Sequence, residues 1–171
     1  PDLAGVTVSG YDFIDSDMDP TDPGCTAQPD DPSHGVHVAG TVAAVTNNNR
    51  GVAGVVWGGY STVRIMPLRV FDGCGATTAS AVAEAIVYAA DNGAKVVNLS
   101  LSGPIATATD QNAVDYALVR GVTLVAAAGN QNSSAPRYPA AYPGVIAVAA
   151  TACDDQRASY SNYGSHIWIA A

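Results

Sequence analysis

The run Ser33-His34-Gly35-Val36-His37-Val38-Ala39-Gly40-Thr41 sets an imidazole directly behind a serine, at the head of a segment with helical periodicity. A serine at a helix start accepts from the free N–H groups of the first turn, so Ser33 reads as the cap and His34 as the first helical residue. That position suits a general base, since the positive end of a helix disfavours added positive charge. Val38, Thr41, Val42 and Val45 supply an apolar stripe that would anchor the helix in a core. His34 and His37, three apart on a helix, could be read as half of a zinc site. Zinc needs at least a third ligand, and no His-Glu-x-x-His or paired-cysteine motif accompanies them. His37 therefore reads as a packed, hydrogen-bonded helix residue, and His166 as part of a surface loop.

Three further stretches could take part in chemistry. Ala126-Ala127-Ala128-Gly129-Asn130 ends an apolar strand in a glycine and a side-chain amide, which is either an ordinary strand-to-loop turn or a way to aim an N–H donor at developing negative charge. Val97-Asn98-Leu99-Ser100-Leu101-Ser102-Gly103 is either a plain core strand or an edge able to pair with an extended peptide. Gly10 to Pro20 packs Asp12, Asp15, Asp17 and Asp19 into one loop without an intervening lysine. Their mutual repulsion asks for a cation, and Asp12, Asp17, Asp19 and Thr21 could converge on one calcium ion; a solvated acidic loop is the other reading. The spacing lacks the glycine and terminal glutamate of an EF-hand.

Short apolar runs alternate with helical periods, which argues for parallel strands joined by crossover helices in a mostly parallel, doubly wound α/β sheet. Strands are expected at Arg64 to Phe71, Lys95 to Leu101 (buried), Val122 to Ala127 and Val145 to Ala150. Helices are expected at Thr78 to Asp91, with Val82, Ile86 and Ala89 inward, and at Asp110 to Arg120, with Ala113, Val114, Ala117 and Leu118 inward. Asn92-Gly93 and Gly121 stop them. Ligands of open parallel sheets collect beyond the carboxyl ends of the strands, where Leu101-Ser102-Gly103 and Ala128-Gly129-Asn130 would lie. At 171 residues and 48% hydrophobic the chain fits one domain with a substantial core. A net charge of -8 argues against nucleic acid or an anionic membrane as partner, and favours calcium or basic partners. No apolar run reaches the roughly 20 residues of a membrane span, and no leader with a cleavage site opens the chain. Cys25, Cys74 and Cys153 allow one disulfide in any of three pairings.

The His34 run resembles the His-Gly-Thr-His-Val-Ala-Gly signature of subtilisin-like serine proteases, with Val36 where the family has threonine. Ala127-Ala128-Gly129-Asn130 resembles the family's Ala-Ala-Gly-Asn motif, and Asn98 to Gly103 its Asn-x-Ser-Leu-Gly-Gly strand, with Ser102 in place of the first glycine. The likeness to the thermitase-like branch runs in order from Pro1-Asp2-Leu3 to Ile169-Ala170-Ala171. It implies a partial peptidase catalytic domain over residues 1–171, incomplete at both ends, in a secreted enzyme that cleaves peptide or protein substrates. His34 would be the catalytic base and Asn130 the oxyanion-hole amide. Ser100, Leu101, Ser102, Gly103, Ala128 and Gly129 would line the substrate path. Arg137, in the stretch from Ser134 to Pro143, would sit near the base of a specificity pocket, where it would suit acidic or polar side chains; a solvated loop arginine is the alternative. The resemblance further implies calcium near Asp12, Asp17, Asp19 and Thr21, and a second calcium in the loop after the histidine helix. There Asn48 would donate its side-chain oxygen and Val45, Arg50 and Val52 their backbone oxygens, completed by acidic ligands of which one belongs near the N-terminus and has no counterpart. Cys25 and Cys74 fall in neighbouring loops, and some secreted bacterial members of the family have that pairing. Any partner of Cys153 would lie outside these 171 residues.

The family's Asp-Thr-Gly and Gly-Thr-Ser-Met-Ala motifs, which carry the other two members of the triad, do not occur here, and missing parts of the same domain are an implied partner. The alternative class is a noncatalytic protein of the same fold that holds peptides along Ser100 to Gly103 or binds calcium.

Overall fold

A computed structural model of the chain describes residues 2–22, 24–25 and 33–171. The elements run β1 (Tyr11–Asp12), α1 (His34–Ala43), β2 (Leu68–Arg69), α2 (Ala79–Asp91), β3 (Val96–Leu99), α3 (Ala108–Val119), β4 (Thr123–Ala127), β5 (Ile146–Ala149) and β6 (Ile169–Ala170). β1 and β2 form a two-stranded parallel sheet, while β3, β4, β5 and β6 form a second, four-stranded sheet in that order, also parallel throughout. The expected α/β class with crossover helices is what forms. Two compact units divide the chain between Ala81 and Val82.

In the second unit the four-stranded sheet is built around small and branched apolar side chains. Leu124 and Ala126 of β4, and Ala147 and Ala149 of β5, are buried in strict alternation. α3 lays Ala113, Val114 and Ala117 inward and packs against β4. Thr107 caps it, accepting from the Asp110 N–H at 3.0 Å, and Gly121 ends it with φ +76°. The Tyr142 hydroxyl clamps the same cap, accepting from the Thr107 N–H at 2.8 Å and donating to its carbonyl at 3.1 Å. Val82, Ile86 and Ala89 of α2 are buried as their spacing predicts. β3 departs from expectation. It is the outer strand of its sheet, so Val96 is 60% exposed and the burial expected of a central strand is reached only at Leu99.

The first unit has less regular structure. The strand expected over Arg64 to Phe71 shrinks to two residues because Pro67 has no N–H to give the ladder. Pairing resumes on its other side, where Val8 donates to Ile65 at 2.9 Å and Ile65 to Val6 at 2.9 Å. α1 is capped as predicted: the Ser33 hydroxyl accepts from the Val36 N–H at 3.3 Å. Its anchoring is different from the predicted stripe. Thr41 is exposed, its hydroxyl donating to the His37 carbonyl at 3.1 Å, and burial falls instead on Ala43 and Ala44. There the contact is backbone against backbone: a Cβ added at Gly54 would lie 2.3 Å from the Ala44 nitrogen, and one at Gly58 2.0 Å from the Ala43 carbonyl oxygen. Cys25 and Cys74 are joined in a disulfide with Cα atoms 4.5 Å apart, and Cys153 is free and exposed. The Asp72 carboxylate shapes the turn carrying Cys74 by accepting from the N–H groups of Cys74 at 3.0 Å and Ala76 at 2.8 Å; those bonds hold its pKa below the usual value.

The acidic loop of this unit is neutralised from within. Asp12 and Arg69 are direct register partners across β1 and β2, and the guanidinium binds both Asp12 and, at 2.7 Å, Asp15. Asp12 is 1% exposed and also accepts from the N–H groups of Ile14 at 2.7 Å and Asp15 at 3.1 Å. Burial by itself would raise the Asp12 pKa; the two backbone donors and Arg69 outweigh it and leave it lowered from 3.8. A depressed carboxylate pKa adds stability that is complete above the unfolded value and lost as pH falls through the folded one. Wild-type unfolding free energy from urea titrations should therefore drop below pH 3.8 more steeply than that of Asp12→Asn. At neutral pH Arg69→Ala, which strands a buried carboxylate, should cost about 3 to 5 kcal/mol.

Candidate active site

The carboxyl ends of β3, β4 and β5, with Ala171 after β6, enclose an open crevice of about 310 Å³. Asn98, Ser100, Ala128, Gly129 and Asn130 line it, so two of the stretches singled out by sequence meet in one place. Asn98 donates its amide to the Ser100 hydroxyl at 2.8 Å across the mouth of β3. The floor is alanine: Ala126, Ala127, Ala128, Ala149 and Ala150 keep the strand ends accessible by taking up little space.

The turn that displays Asn130 is held by a residue that motif reading did not single out. The Asn162 side chain is completely buried; its amide donates to the Ala128 carbonyl at 2.9 Å, and its oxygen accepts from the N–H groups of Gln131 at 2.9 Å and Ser133 at 3.1 Å. Its own N–H donates to the Gly129 carbonyl at 2.9 Å. Gly129 has φ +101°, and a Cβ there would lie 2.6 Å from the Asn162 Nδ2 atom. The turn thus needs glycine for both conformation and space. Asn130 is exposed, its N–H donating to the Gln131 side-chain oxygen at 3.1 Å, and its side-chain amide has no hydrogen bond among the described residues. Ser161, next to Asn162, binds the end of β5 by accepting from the Ala150 N–H at 2.8 Å.

Gly103 differs from a freely available edge. Its N–H donates to the Tyr138 carbonyl at 2.8 Å and its carbonyl accepts from the Tyr138 N–H at 2.9 Å. Its main chain is already paired, whereas Leu101 and Ser102 make no backbone pairing among the described residues. The peptide bond from Tyr138 to Pro139 is cis. Arg137, just before it, is half-buried, with Cγ 3.2 Å from the position a Gly129 Cβ would take and with Nε buried and unpartnered. His166 is half-buried rather than on the surface, its ring against Gly164, and its Nε2 is buried without a partner.

In the first unit His34 is the opening residue of α1 and is exposed, so its ring is accessible. His37 is exposed too, not packed. Val36 is 57% exposed, and nothing in the structure explains valine there.

The donors expected for calcium fare differently in the two loops. Around Asp12 they do not fit: Arg69 and two N–H groups occupy that carboxylate, Asp17 accepts from the Asp19 N–H at 2.9 Å, and Asp19 accepts from the Thr21 N–H at 3.1 Å and from its hydroxyl at 2.5 Å. Arg69 is the cation that the carboxylate repulsion demanded. Among the described residues no group of three or more His, Cys, Asp or Glu side chains gathers closely enough to hold a metal ion. Residues 47–53 instead surround a hollow of about 340 Å³. Asp2, absent from the expected ligands, enters that loop from the start of the chain. Its carboxylate accepts from the Asn48 amide at 2.8 Å and the Val52 N–H at 3.3 Å, and its carbonyl from the Val45 N–H at 2.7 Å. A Cβ at Gly51 would overlap it, 1.9 Å from the carboxylate oxygen, so the loop forms a cradle around an acidic oxygen. Calcium would need carboxylate, amide and main-chain oxygens turned inward, whereas the groups that meet the Asp2 carboxylate here are N–H donors, the Asn48 amide and the Val52 N–H.

A parallel α/β sheet whose strand ends gather a glycine turn, an amide and a hydroxyl in one crevice presents the kinds of group that polar catalysis uses. The profile described as the subtilase family (Peptidase_S8) matches residues 1–171, and the chain belongs to that family. It is 46% identical over 171 residues to thermitase of Thermoactinomyces vulgaris, covering all of this chain and 57% of that protein. It is 47% identical over 171 residues to a thermophilic serine proteinase of Bacillus sp. (strain AK1), covering 40% of that protein. Among solved structures, a protease of Pseudoalteromonas arctica PAMC 21717 superposes with a TM-score of 0.86 at 38% identity, covering 99% of this chain and 58% of the other. A cold-adapted subtilisin-like serine proteinase gives 0.80 at 34% identity, with 99% and 56% covered. The fold is therefore subtilisin-like, and the chain spans about half the length of the curated relatives it matches.

Asn162→Ala should leave the N–H groups of Gln131 and Ser133 without the acceptor they have now. Chemical denaturation should register a loss of about 2 to 4 kcal/mol. Amide exchange should accelerate first at residues 129–133, the segment bound to that side chain.

Proposed function

We propose that these residues form part of a secreted serine endopeptidase that hydrolyses peptide bonds through an acyl-enzyme. The observation that carries this reading is the Ala128-Gly129-Asn130 turn at the end of a buried parallel strand, with an unbound amide beside the crevice. Membership of the subtilase family supports it. In this reading the nucleophilic serine and the aspartate that orients the base come from sequence outside the 171 residues. His34 takes the serine proton as the hydroxyl oxygen attacks the substrate carbonyl, then returns it to the leaving amine as the peptide C–N bond breaks. A water molecule repeats the cycle to free the acid. Asn130 donates to the oxyanion of each tetrahedral intermediate. An extended substrate lies along Ser100, Leu101 and Ser102, with Gly103, Ala128, Gly129 and Arg137 as walls.

Secretion is supported by the Cys25–Cys74 disulfide, which persists in oxidising surroundings, and by a 45% identical relative named extracellular protease from Xanthomonas campestris pv. campestris. Among the described residues no helix is long and apolar enough to cross a membrane. Calcium has a structural role in the loop after α1. There Asp2 and Asn48, released from their present N–H partners, would hold it through side-chain oxygens, and Val45, Arg50 and Val52 would do so through main-chain oxygens.

A fluorophosphonate probe applied to the intact protein tests the catalytic reading: covalent labelling is expected, and its absence in a folded, calcium-loaded sample would overturn it. Asn130→Ala should lower kcat about 100- to 1000-fold while changing KM little. For calcium, adding a chelator should lower the melting temperature of the wild type and have much less effect on Asp2→Asn. Equal melting of the wild type with and without chelator would remove calcium from the account.

A further inference from the structure

The peptide unit between Gly129 and Asn130 is the soft point of the turn that displays Asn130. Gly129, at φ +101°, lacks the side chain that would oppose rotation of that unit, and the Asn130 side chain leaves the backbone directly after it. Both polar groups of the unit are nonetheless held. Its carbonyl accepts from the Asn162 N–H at 2.9 Å, and its N–H donates to the Gln131 side-chain oxygen at 3.1 Å. The same Gln131 oxygen accepts from the Asn162 side-chain amide at 3.2 Å, while the Gln131 N–H donates back to the Asn162 side-chain oxygen at 2.9 Å. A Cβ at Gly129 would lie 2.8 Å from that Gln131 oxygen, so the carboxamide rests against the bare face of the glycine.

Gln131 is exposed, and a long polar side chain on the surface gives up rotamer freedom when it folds back over its own main chain. Stability gains little in return, because Asn130 is exposed as well and water would satisfy its N–H. What the bond does is select one orientation of the 129–130 peptide, and with it the direction in which Asn130 leaves the backbone. Asn130 lines the crevice, whereas Gln131 stands behind it. We propose that Gln131 is a positioning residue for catalysis, whose side-chain oxygen locks the Gly129–Asn130 peptide so that the Asn130 amide is aimed before negative charge develops on the substrate. This rests on the endopeptidase reading for the role of Asn130, and on the geometry of the turn for the lock. A donor that must reorient during the reaction loses much of its effect, and a small misplacement is enough to slow the chemical step.

The test measures kcat and KM of the intact protein with Gln131 replaced by Met, which keeps the length and drops the acceptor, and by Glu, which keeps the oxygen. Gln131→Met should lower kcat about 5- to 30-fold, with KM and melting temperature little changed. Gln131→Glu should recover most of the wild-type kcat at high salt, where its added charge is screened. Combined with Asn130→Ala, Gln131→Met should slow the reaction no further, because it acts only through that amide. A second readout is independent of hydrolysis. The Asn130 N–H should exchange with solvent faster in Gln131→Met, while those of Gln131 and Ser133 keep the protection that Asn162 gives them. Hydrolysis with kcat unchanged in Gln131→Met would overturn the inference and leave the endopeptidase reading standing. A change confined to KM would also overturn it, by making Gln131 a substrate contact. No hydrolysis by the wild type, with Asn130 exchange altered as expected, would leave the lock in place and remove the endopeptidase reading.

Discussion

The carboxamide of Asn162 is the interaction on which the crevice depends. One buried side chain satisfies a carbonyl on the strand side of the turn and two N–H groups beyond it, so the chain from Ala128 to Ser133 has one way to leave the sheet. A catalytic donor acts only if it stands in place before charge develops, because reorganising it during the reaction would cancel the gain. Here Asn130 stays unbound and exposed while everything around it is fixed: Gly129 is confined by Asn162, Ser161 is bound to β5, and Arg157 reaches from the same segment to Asn132. The backbone that carries Asn130 is thus fixed from both sides of the turn.

A second constraint governs the first unit, namely how to place four aspartates in one short loop. Exposure would have served for some of them, yet Asp12 is on a strand and buried. The solution is a guanidinium on the neighbouring strand in exact register with it, which serves Asp15 at the same time. Asp17 and Asp19 are left to cap local turns. An internal arginine thus takes the part that an ion would otherwise play, and it does so at the price of tying that loop permanently to β2.

Much of this was legible in the sequence wherever the information was local. α2 and α3 declare themselves by spacing and by glycine stops, and β4 and β5 by short apolar runs, so their bounds and buried residues fall close to expectation. Two-residue strands such as β1 and β6 carry no periodicity to detect. β3 has the composition of a central strand, and it is an outer strand of the sheet that these residues form. The remaining gaps all involve distant partners. Arg69 meets Asp12 across 57 positions, Asp2 meets Asn48 across 46, and Asn162 meets Gln131 across 31. No spacing rule reaches that far. The aspartate-rich loop announced a need for positive charge without saying where the charge would come from.

The contact between Gly54, Gly58 and the end of α1 has a consequence for inheritance of form. Helices seated by large side chains can shift by an ångström when those side chains change, since rotamers absorb the difference. The helix that begins at His34 ends instead with main chain lying on main chain, where no torsion is available to absorb anything. The seat at the end of that helix lasts only while positions 54 and 58 stay glycine, because any side chain there would meet its main chain.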